Sequence, residues 1–298
     1  MDGSGTRWQS LYDSIIGPWG ATELFGLSNL PSYQERDREF IDYEEFPLAG
    51  TPHRLRGPAP KTLEPGEYFT CVGAAQTFGC FCEQPYPALL ADSLDLPALN
   101  LGLAGAGPRL FVQDEDLLGY MNRGRFAVVQ VLSGRSEENS LFANAGRGLL
   151  TRRSTGQEIR PEPAYAELLA NESPDTVAAI VAETRANWTR SFSRLLEAIQ
   201  VPTILFWFSQ RAPDYEQSLS DVQALFGQYP QMVNRTMIQE LRELSDAYAE
   251  CVSARGIPQR LVSRFTGEPK GANTYYPSPE MHADGAAALA EACRRYAH

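Results

Sequence analysis

The chain has 298 residues, of which 43% are hydrophobic, and a formal net charge of −11 at pH 7. This length and apolar content are enough to bury the core of one large domain or two small ones. The acidic balance argues against a broad nucleic-acid or anionic-membrane surface, because such surfaces bind phosphate through many Lys and Arg side chains. The only lysines are Lys61 and Lys270, so a local anion site would depend on arginine.

The first 65 residues are rich in Pro, Gly and aromatic residues and show little periodicity. We interpret residues 1–65 as an irregular extension packed on a domain that comprises residues 66–298. The first 17 residues contain neither a basic segment followed by an apolar one nor a long uncharged run. This pattern predicts a cytoplasmic protein without a membrane partner.

The five cysteines are odd in number and unevenly spread, which predicts reduced thiols rather than a disulfide framework. Cys80 and Cys82 form a C-x-C motif, but no second Cys/His pair lies at the spacing of zinc ligands. We therefore expect no metal.

From residue 66 onward, short apolar runs alternate with helical stretches. The runs are EYFTCVG, PALNLGLAG, FAVVQVLSG, PTILFWFSQ and QRLVSRF. Continuous β-rich runs separated by helices predict a parallel sheet that is covered on both faces. Residues 176–199 repeat apolar side chains at nearly 3.6 residues, which predicts a core-packing helix rather than a ligand site. The polar, Arg-containing residues 140–174 are predicted to form an insertion over the ligand-binding end of the sheet.

Three turns rich in small or polar residues follow the first three predicted strands. They are GAAQTFG at 73–79, NLGLAGAGP at 100–108 and SGRSEENS at 133–140. Ligands of open parallel sheets bind outside the carboxyl ends of the strands, so these turns are the expected site.

The order of these turns, together with NTYYPSPEMHADGAAALAEA from Asn273 onward, resembles the SGNH/GDSL hydrolase superfamily, and within it a bacterial branch. The resemblance spans roughly residues 66–296. It implies a flavodoxin-like αβα sandwich with a five-stranded parallel sheet. It also implies which positions correspond to the catalytic residues of that superfamily.

The first block of the family, Gly-Asp-Ser-x-Thr, corresponds to residues 73–77, which places Ala75 at the position of the nucleophile. Alanine has no heteroatom, so it cannot form an acyl-enzyme. The second block is intact as Asn100, Gly102 and Gly105, and the resemblance implies a backbone N–H pointing into the site there.

The later blocks also depart from the family. In the third block, Ser136 takes the place of the oxyanion Asn, unless Asn139 reaches inward instead. In the last block, Asn273 and Tyr276 take the places of the acid and the base, whereas a shifted register would use His282. With the Ser, Asp and His all replaced, serine-esterase chemistry is not expected.

The leading hypothesis is a non-hydrolytic transferase that moves a sulfuryl or acyl group to a hydroxyl of a saccharide-like or small-molecule acceptor. In-line transfer needs a donor cradle and a base, but no protein nucleophile. The donor would be a nucleotide-linked sulfuryl donor or an acyl donor. The predicted catalytic residues are His282, Tyr276 and Arg135. The predicted substrate- and anion-binding residues are Gly73, Ala75, Gln76, Thr77, Asn100, Gly102, Gly105, Ser136 and Asn139.

Two alternatives stay open. One is a non-catalytic pseudo-hydrolase that binds a glycan or an anion in the same pocket. The other is a hydrolase with a relocated nucleophile, for which Ser133, Ser136 or Thr77 are the candidates.

Most of the single residues also have a structural interpretation. His282 is equally a histidine at a helix start beside two acids, and Arg135 equally an ion-pair partner of Glu137 or Glu138. Tyr275 and Tyr276 could cover the sheet edge. The arginines of the insertion, Arg147, Arg152 and Arg153, fit a solvated loop as well as an anion clamp.

Overall fold

The structure is a computed structural model and describes residues 37–297. The strands are β1 (Phe46–Pro47), β2 (Arg54–Leu55), β3 (Phe69–Gly73), β4 (Ala98–Gly102), β5 (Ala127–Gln130), β6 (Phe142–Ala143), β7 (Leu150–Arg152), β8 (Glu158–Ile159), β9 (Thr203–Ser209), β10 (Ala247–Val252), β11 (Gln259–Val262) and β12 (Pro269–Asn273). The helices are α1 (Ala75–Phe78), α2 (Tyr86–Leu94), α3 (Pro108–Gln113), α4 (Glu115–Arg123), α5 (Pro161–Asn171), α6 (Pro174–Ala198), α7 (Val222–Phe226), α8 (Arg235–Arg242) and α9 (Pro279–Arg294).

The central sheet has five parallel strands in the order β4-β3-β5-β9-β10. Helices cover both of its faces, so the chain has the flavodoxin-like αβα fold that the sequence predicts. The chain runs from β3 to β4 on one side and then crosses back to β5 on the other. The direction of strand addition therefore reverses between β3 and β5, and ligands of such sheets bind at the carboxyl ends beside this point.

The prediction of the fifth strand was wrong. QRLVSRF contributes β11, which pairs antiparallel with β12 in a separate hairpin. The fifth strand of the sheet is β10, AYAECV, which the periodicity did not reveal. β10 alternates buried and exposed residues over much of its length, with Glu250 and Val252 facing solvent. It therefore lacks the continuous apolar run of the four other strands.

Two apolar layers enclose the sheet. On one face, α3, α4, α6 and α8 pack on β3, β4, β5 and β9, and on the other face α2 and α9 do so. The positions that repeat at nearly 3.6 residues along α6 are all buried: Val177, Ile180, Val181, Thr184, Trp188, Phe192 and Leu195. The core-packing interpretation of this helix is confirmed. No helix within residues 37–297 is both long enough and apolar enough to cross a bilayer.

Residues 140–174 form a small unit of their own at the carboxyl end of the sheet. Strands β6, β7 and β8 make a three-stranded antiparallel sheet, and α5 follows it. Its apolar side chains, among them Phe142, Leu150 and Tyr165, pack with Met232 and with the first turns of α6 in a cluster of their own. The segment is therefore folded against the domain.

Candidate functional site

The turn after β3 is packed tightly against its neighbours. A Cβ added to Gly73 would lie 1.9 Å from Oγ1 of Thr77, and one added to Gly102 would lie 2.2 Å from the backbone N of Phe78. Asn100 reinforces this contact, because its Nδ2 donates to the carbonyl of Thr77 (3.0 Å) and its Oδ1 accepts from the amide of Gly102 (2.9 Å). Close approach of α1 to β4 is thus one physical reason for the small residues of both turns.

A buried hydrogen-bond chain runs behind the turn. Oε1 of Gln130, at the end of β5, accepts from Oγ1 of Thr77 (2.6 Å) and from the amide of Ala74 (3.3 Å). Because the single hydroxyl proton of Thr77 goes to Gln130, the hydroxyl of Tyr86 donates to Thr77 (2.9 Å). Burial raises the pKa of Tyr86 well above its ordinary value, so this phenol stays protonated. The chain links β5, α1 and α2.

His282 lies at the end of this chain and is fully buried. Its Nδ1 accepts from the amide of Tyr86 (3.1 Å), and its ring stacks on the ring of Tyr86. Burial, together with the charge of Arg56, lowers the pKa of His282 to about 3. The imidazole is therefore neutral at physiological pH and carries its proton on Nε2, an atom that is buried without a hydrogen-bond partner in the described structure.

A cover over α1 comes from the end of the N-terminal extension. The ring of Tyr43 packs edge-on against Phe78, and its hydroxyl donates to Asp37 (3.0 Å) and accepts from the amide of Phe81 (3.1 Å). The guanidinium of Arg56 lies 4.6 Å from the centroid of the Tyr43 ring. Tyr43, Ala75 and Tyr276 share one buried apolar cluster, so aromatic side chains occupy the space beside Ala75.

Arg56 is the cation of this region. Its Nη2 donates to the carbonyls of Cys82 (2.8 Å) and Glu83 (2.7 Å), and its Nε donates to Gly57 (3.3 Å). Burial lowers its pKa below the ordinary value of an arginine, but an arginine remains charged. Nη1 of Arg56 is buried and has no partner among residues 37–297.

Four buried polar atoms around α1 thus lack a protein partner in the described part of the chain: Nη1 of Arg56, Oε1 of Gln76, Nε2 of Gln130 and Nε2 of His282. Buried polar groups in folded proteins are almost always hydrogen-bonded, to water or ligand where no protein group is available. Three of the four atoms are donors, and one of them belongs to a cation. Donors of this kind pair with the oxygens of anionic groups.

The other predicted residues divide into two sets. Gly73, Gln76, Thr77, Asn100 and Gly102 come together at α1, as the sequence predicts. Arg135, Ser136 and Asn139 bond toward the insertion instead: Arg135 pairs with Glu162 (2.6 Å), Ser136 donates to the carbonyl of Gly148 (3.4 Å), and Asn139 donates to Tyr165 and Thr184. Gly105 also faces the insertion, since its Cβ would lie 3.3 Å from the amide of Gly148.

The last block of the sequence forms a tight turn. Oδ1 of Asn273 accepts from the amides of Tyr275 (3.1 Å) and Tyr276 (2.9 Å), and its Nδ2 donates to the carbonyl of Tyr276 (2.9 Å). All of these bonds shape the turn itself. Asn273 therefore orients backbone here, and the imidazole of His282 is oriented by Tyr86.

Sequence reasoning missed Arg56, Gln130, Tyr43 and Tyr86. Gln130 had a readable signal, since a lone amide in the apolar run FAVVQVL is a buried polar group that needs partners. Arg56 and Tyr43 had none, because they lie in the irregular extension and reach α1 only through the tertiary fold.

Comparisons with known proteins give a family and distant structural relatives. A crystal structure of a Lactobacillus plantarum protein, a target of the Northeast Structural Genomics consortium, has a TM-score of 0.43 at 13% identity over 78% of this chain and 98% of that one. A gut microbial diltiazem-metabolizing enzyme has a TM-score of 0.43 at 11% identity over 78% of this chain, which spans 48% of that enzyme. No curated protein matches. A family model matches residues 32–147 and 166–297, and the chain therefore belongs to the family described as Domain of unknown function (DUF6473).

Proposed function

We propose that the chain is a binding protein that holds an oxyanion-bearing ligand, such as a sulfated, phosphorylated or carboxylated saccharide, at the α1 turn without converting it. The observation that carries the proposal is the set of four unpartnered buried atoms around α1, three of them donors. A sulfate, phosphate or carboxylate oxygen accepts the N–H groups of Arg56, Gln130 and His282. A neighbouring hydroxyl of the ligand donates to Oε1 of Gln76.

Group transfer draws less support from the geometry. A transferase needs a titratable group that takes the proton of the acceptor hydroxyl at working pH. His282, the predicted base, is buried with a pKa lowered to about 3, and its Nδ1 already accepts a hydrogen bond. Arg135, the predicted cation, pairs with Glu162. Binding without turnover therefore fits this site better.

Access to the site depends on the cover. The guanidinium of Arg264, in the loop between β11 and β12, donates to the carbonyl of Arg38 (2.8 Å) and to the carboxylate of Asp42 (2.9 Å). The backbone amide of Arg264 donates to the carbonyl of Glu39 (2.9 Å). These contacts hold residues 38–42, which lead into Tyr43. In this proposal the ligand enters when this segment moves aside. We also propose a cytoplasmic location, which the five free, buried cysteines support.

The proposal predicts that Gln130→Glu abolishes stabilisation by an anion. Glu keeps an acceptor oxygen for Thr77 and Ala74 but replaces the unpartnered donor by a negative charge, so it repels an anion at this point. The measurement is the melting temperature against increasing sulfate, phosphate and sulfated monosaccharides. A ligand at about 100 times its Kd stabilises the wild type by about 2.7 kcal/mol.

Arg135→Gln is the matched control, because it removes a cation from the neighbouring strand exit and leaves the four atoms in place. Sulfate also stabilises proteins by exclusion from their surface, and that effect is common to all variants. The proposal requires a saturable rise in wild type and Arg135→Gln that Gln130→Glu lacks. Equal responses in all three would contradict it. If the protein instead consumed a nucleotide-linked sulfuryl donor when a saccharide was present, that result would favour the transferase.

A further inference from the structure

A second site lies outside the α1 turn. A cleft of about 390 Å³ opens between the start of α4, the loop that joins β1 to β2, and the loop before β7. Its polar lining includes His53, Asp114, Glu115, Asp116 and Arg147. None of these residues contributes to the atoms around α1.

The hydrogen bond to Asp114 sets which nitrogen of a neutral His53 carries the proton. Nε2 of His53 lies 2.8 Å from Oδ2 of Asp114, while Oδ1 of Asp114 caps α4 by accepting from the amide of Leu117 (3.0 Å). Burial alone would raise the pKa of Asp114, but the Leu117 amide and His53 together hold it below its ordinary value. The ionised carboxylate can only accept, so a neutral His53 carries its proton on Nε2 and keeps a lone pair on Nδ1.

Nδ1 of His53 is the unused atom of the pair. The side chain is only 9% exposed, and Nδ1 makes no hydrogen bond to any residue that the structure describes. His53 is also part of the cleft lining. If His53 served only to hold the β1–β2 hairpin against α4, its hydrogen bond to Asp114 through Nε2 would be sufficient.

The charges of the cleft have both signs. Glu115 and Asp116 follow Asp114 in the first turn of α4, and Arg147 lines the same cleft from the insertion. Neither acid nor Arg147 forms an ion pair within residues 37–297. Moreover, the described range contains no group of three His, Cys, Asp or Glu residues that could hold a metal ion.

We propose that this cleft binds a small zwitterion of the amino-acid type. Its ammonium group donates to Nδ1 of His53 and to the carboxylates of Glu115 and Asp116, which matches three N–H donors with three acceptors. Its carboxylate binds the guanidinium of Arg147, which suits carboxylate oxygens geometrically. This proposal is independent of the anion site at α1.

The test is an NMR titration of the imidazole resonances of the full chain, which has three histidines. The His53 signal is identified by its loss in His53→Gln. The probes are glycine, β-alanine and 4-aminobutyrate, which separate the two charges by increasing lengths, with methylamine and acetate as single-charge controls. At least one zwitterion should shift the His53 signal saturably with a Kd of about 1–10 mM, and the single-charge controls should bind at least about tenfold more weakly.

Two variants at exposed positions test where the two charges of the zwitterion bind. Arg147→Gln and Asp116→Asn should each weaken binding of the best zwitterion by about tenfold. The matched changes Arg194→Gln on α6 and Asp92→Asn on α2, both exposed, should leave binding unchanged. No saturable shift with any zwitterion would overturn the proposal. Binding of acetate or methylamine as tight as that of the zwitterion would overturn it too, as would an unchanged Kd in Arg147→Gln and Asp116→Asn.

Discussion

Lowering the pH from 7 to 5 is expected to destabilise the wild-type protein by about 2 kcal/mol more than the His282→Asn variant. The pKa of His282 is about 3 in the folded protein, because the ring is fully buried, and about 6.5 in the unfolded chain. Between about pH 3 and pH 6.5, His282 therefore binds a proton in the unfolded state but not in the folded state. Stability contributed by the neutral ring is complete above about pH 6.5 and is lost as the pH falls toward 3.

Asn is the informative replacement because its Oδ1 can take the place of Nδ1 and accept from the amide of Tyr86. The variant is smaller and leaves a cavity, so it is less stable at neutral pH. The readout is the slope of unfolding free energy against pH, measured by urea denaturation from about pH 5 to pH 8. Above about pH 7 the two curves should run parallel. Parallel curves over the whole range would mean that His282 is solvated or takes up a proton in the folded protein.

Gly102→Ala is expected to destabilise the protein by about 3 kcal/mol or more. The new Cβ would lie 2.2 Å from the backbone N of Phe78 and 2.6 Å from its Cα. Both atoms belong to the main chain of α1, which Asn100 and Gln130 hold in place through Thr77. Relief of the overlap must therefore displace the turn itself, which also displaces Gln76 and its unpartnered oxygen.

Gly119→Ala is the matched control for this change. Gly119 lies inside α4, and a Cβ added there meets no atom within 4 Å. Alanine favours the helix over glycine, so this variant should gain about 0.5–1 kcal/mol. Urea unfolding of both variants gives the comparison. A Gly102→Ala protein that is as stable as the wild type would show that α1 does not pack against β4 as described.

The sequence predicts the sheet well where burial is complete and poorly where it is not. Strands β3, β4, β5 and β9 are buried over all or nearly all of their length and lie in apolar runs, which is why the sequence predicts their positions directly. β10 is buried at only some of its positions, and its mixed pattern resembles that of an ordinary loop. The run QRLV has strand propensity, but propensity does not determine which partner a strand finds.

The sequence predicts where the turns of the candidate site lie better than it predicts the contacts of their residues. The small residues after β3 and β4 correctly marked the carboxyl end beside the switch point. A glycine demanded by backbone packing and a glycine demanded by a ligand look the same in a sequence, and at Gly102 the structure shows packing. The burial of His282, and its bond to Tyr86, join residues 196 positions apart in the chain. Such a contact arises only from tertiary structure. The relationship to SGNH hydrolases stays a prediction.

The most direct test of the α1 site is an experimental electron-density map at about 1.5 Å resolution from crystals soaked in sulfate or its heavier analogue selenate. We predict non-protein density within hydrogen-bonding distance, about 3 Å, of at least two of the four atoms around α1, with Nε2 of Gln130 among them. Anomalous signal from selenate at that position would identify an anion rather than water. A map in which these side chains are rearranged so that they bond to each other, with no density between them, would contradict the account.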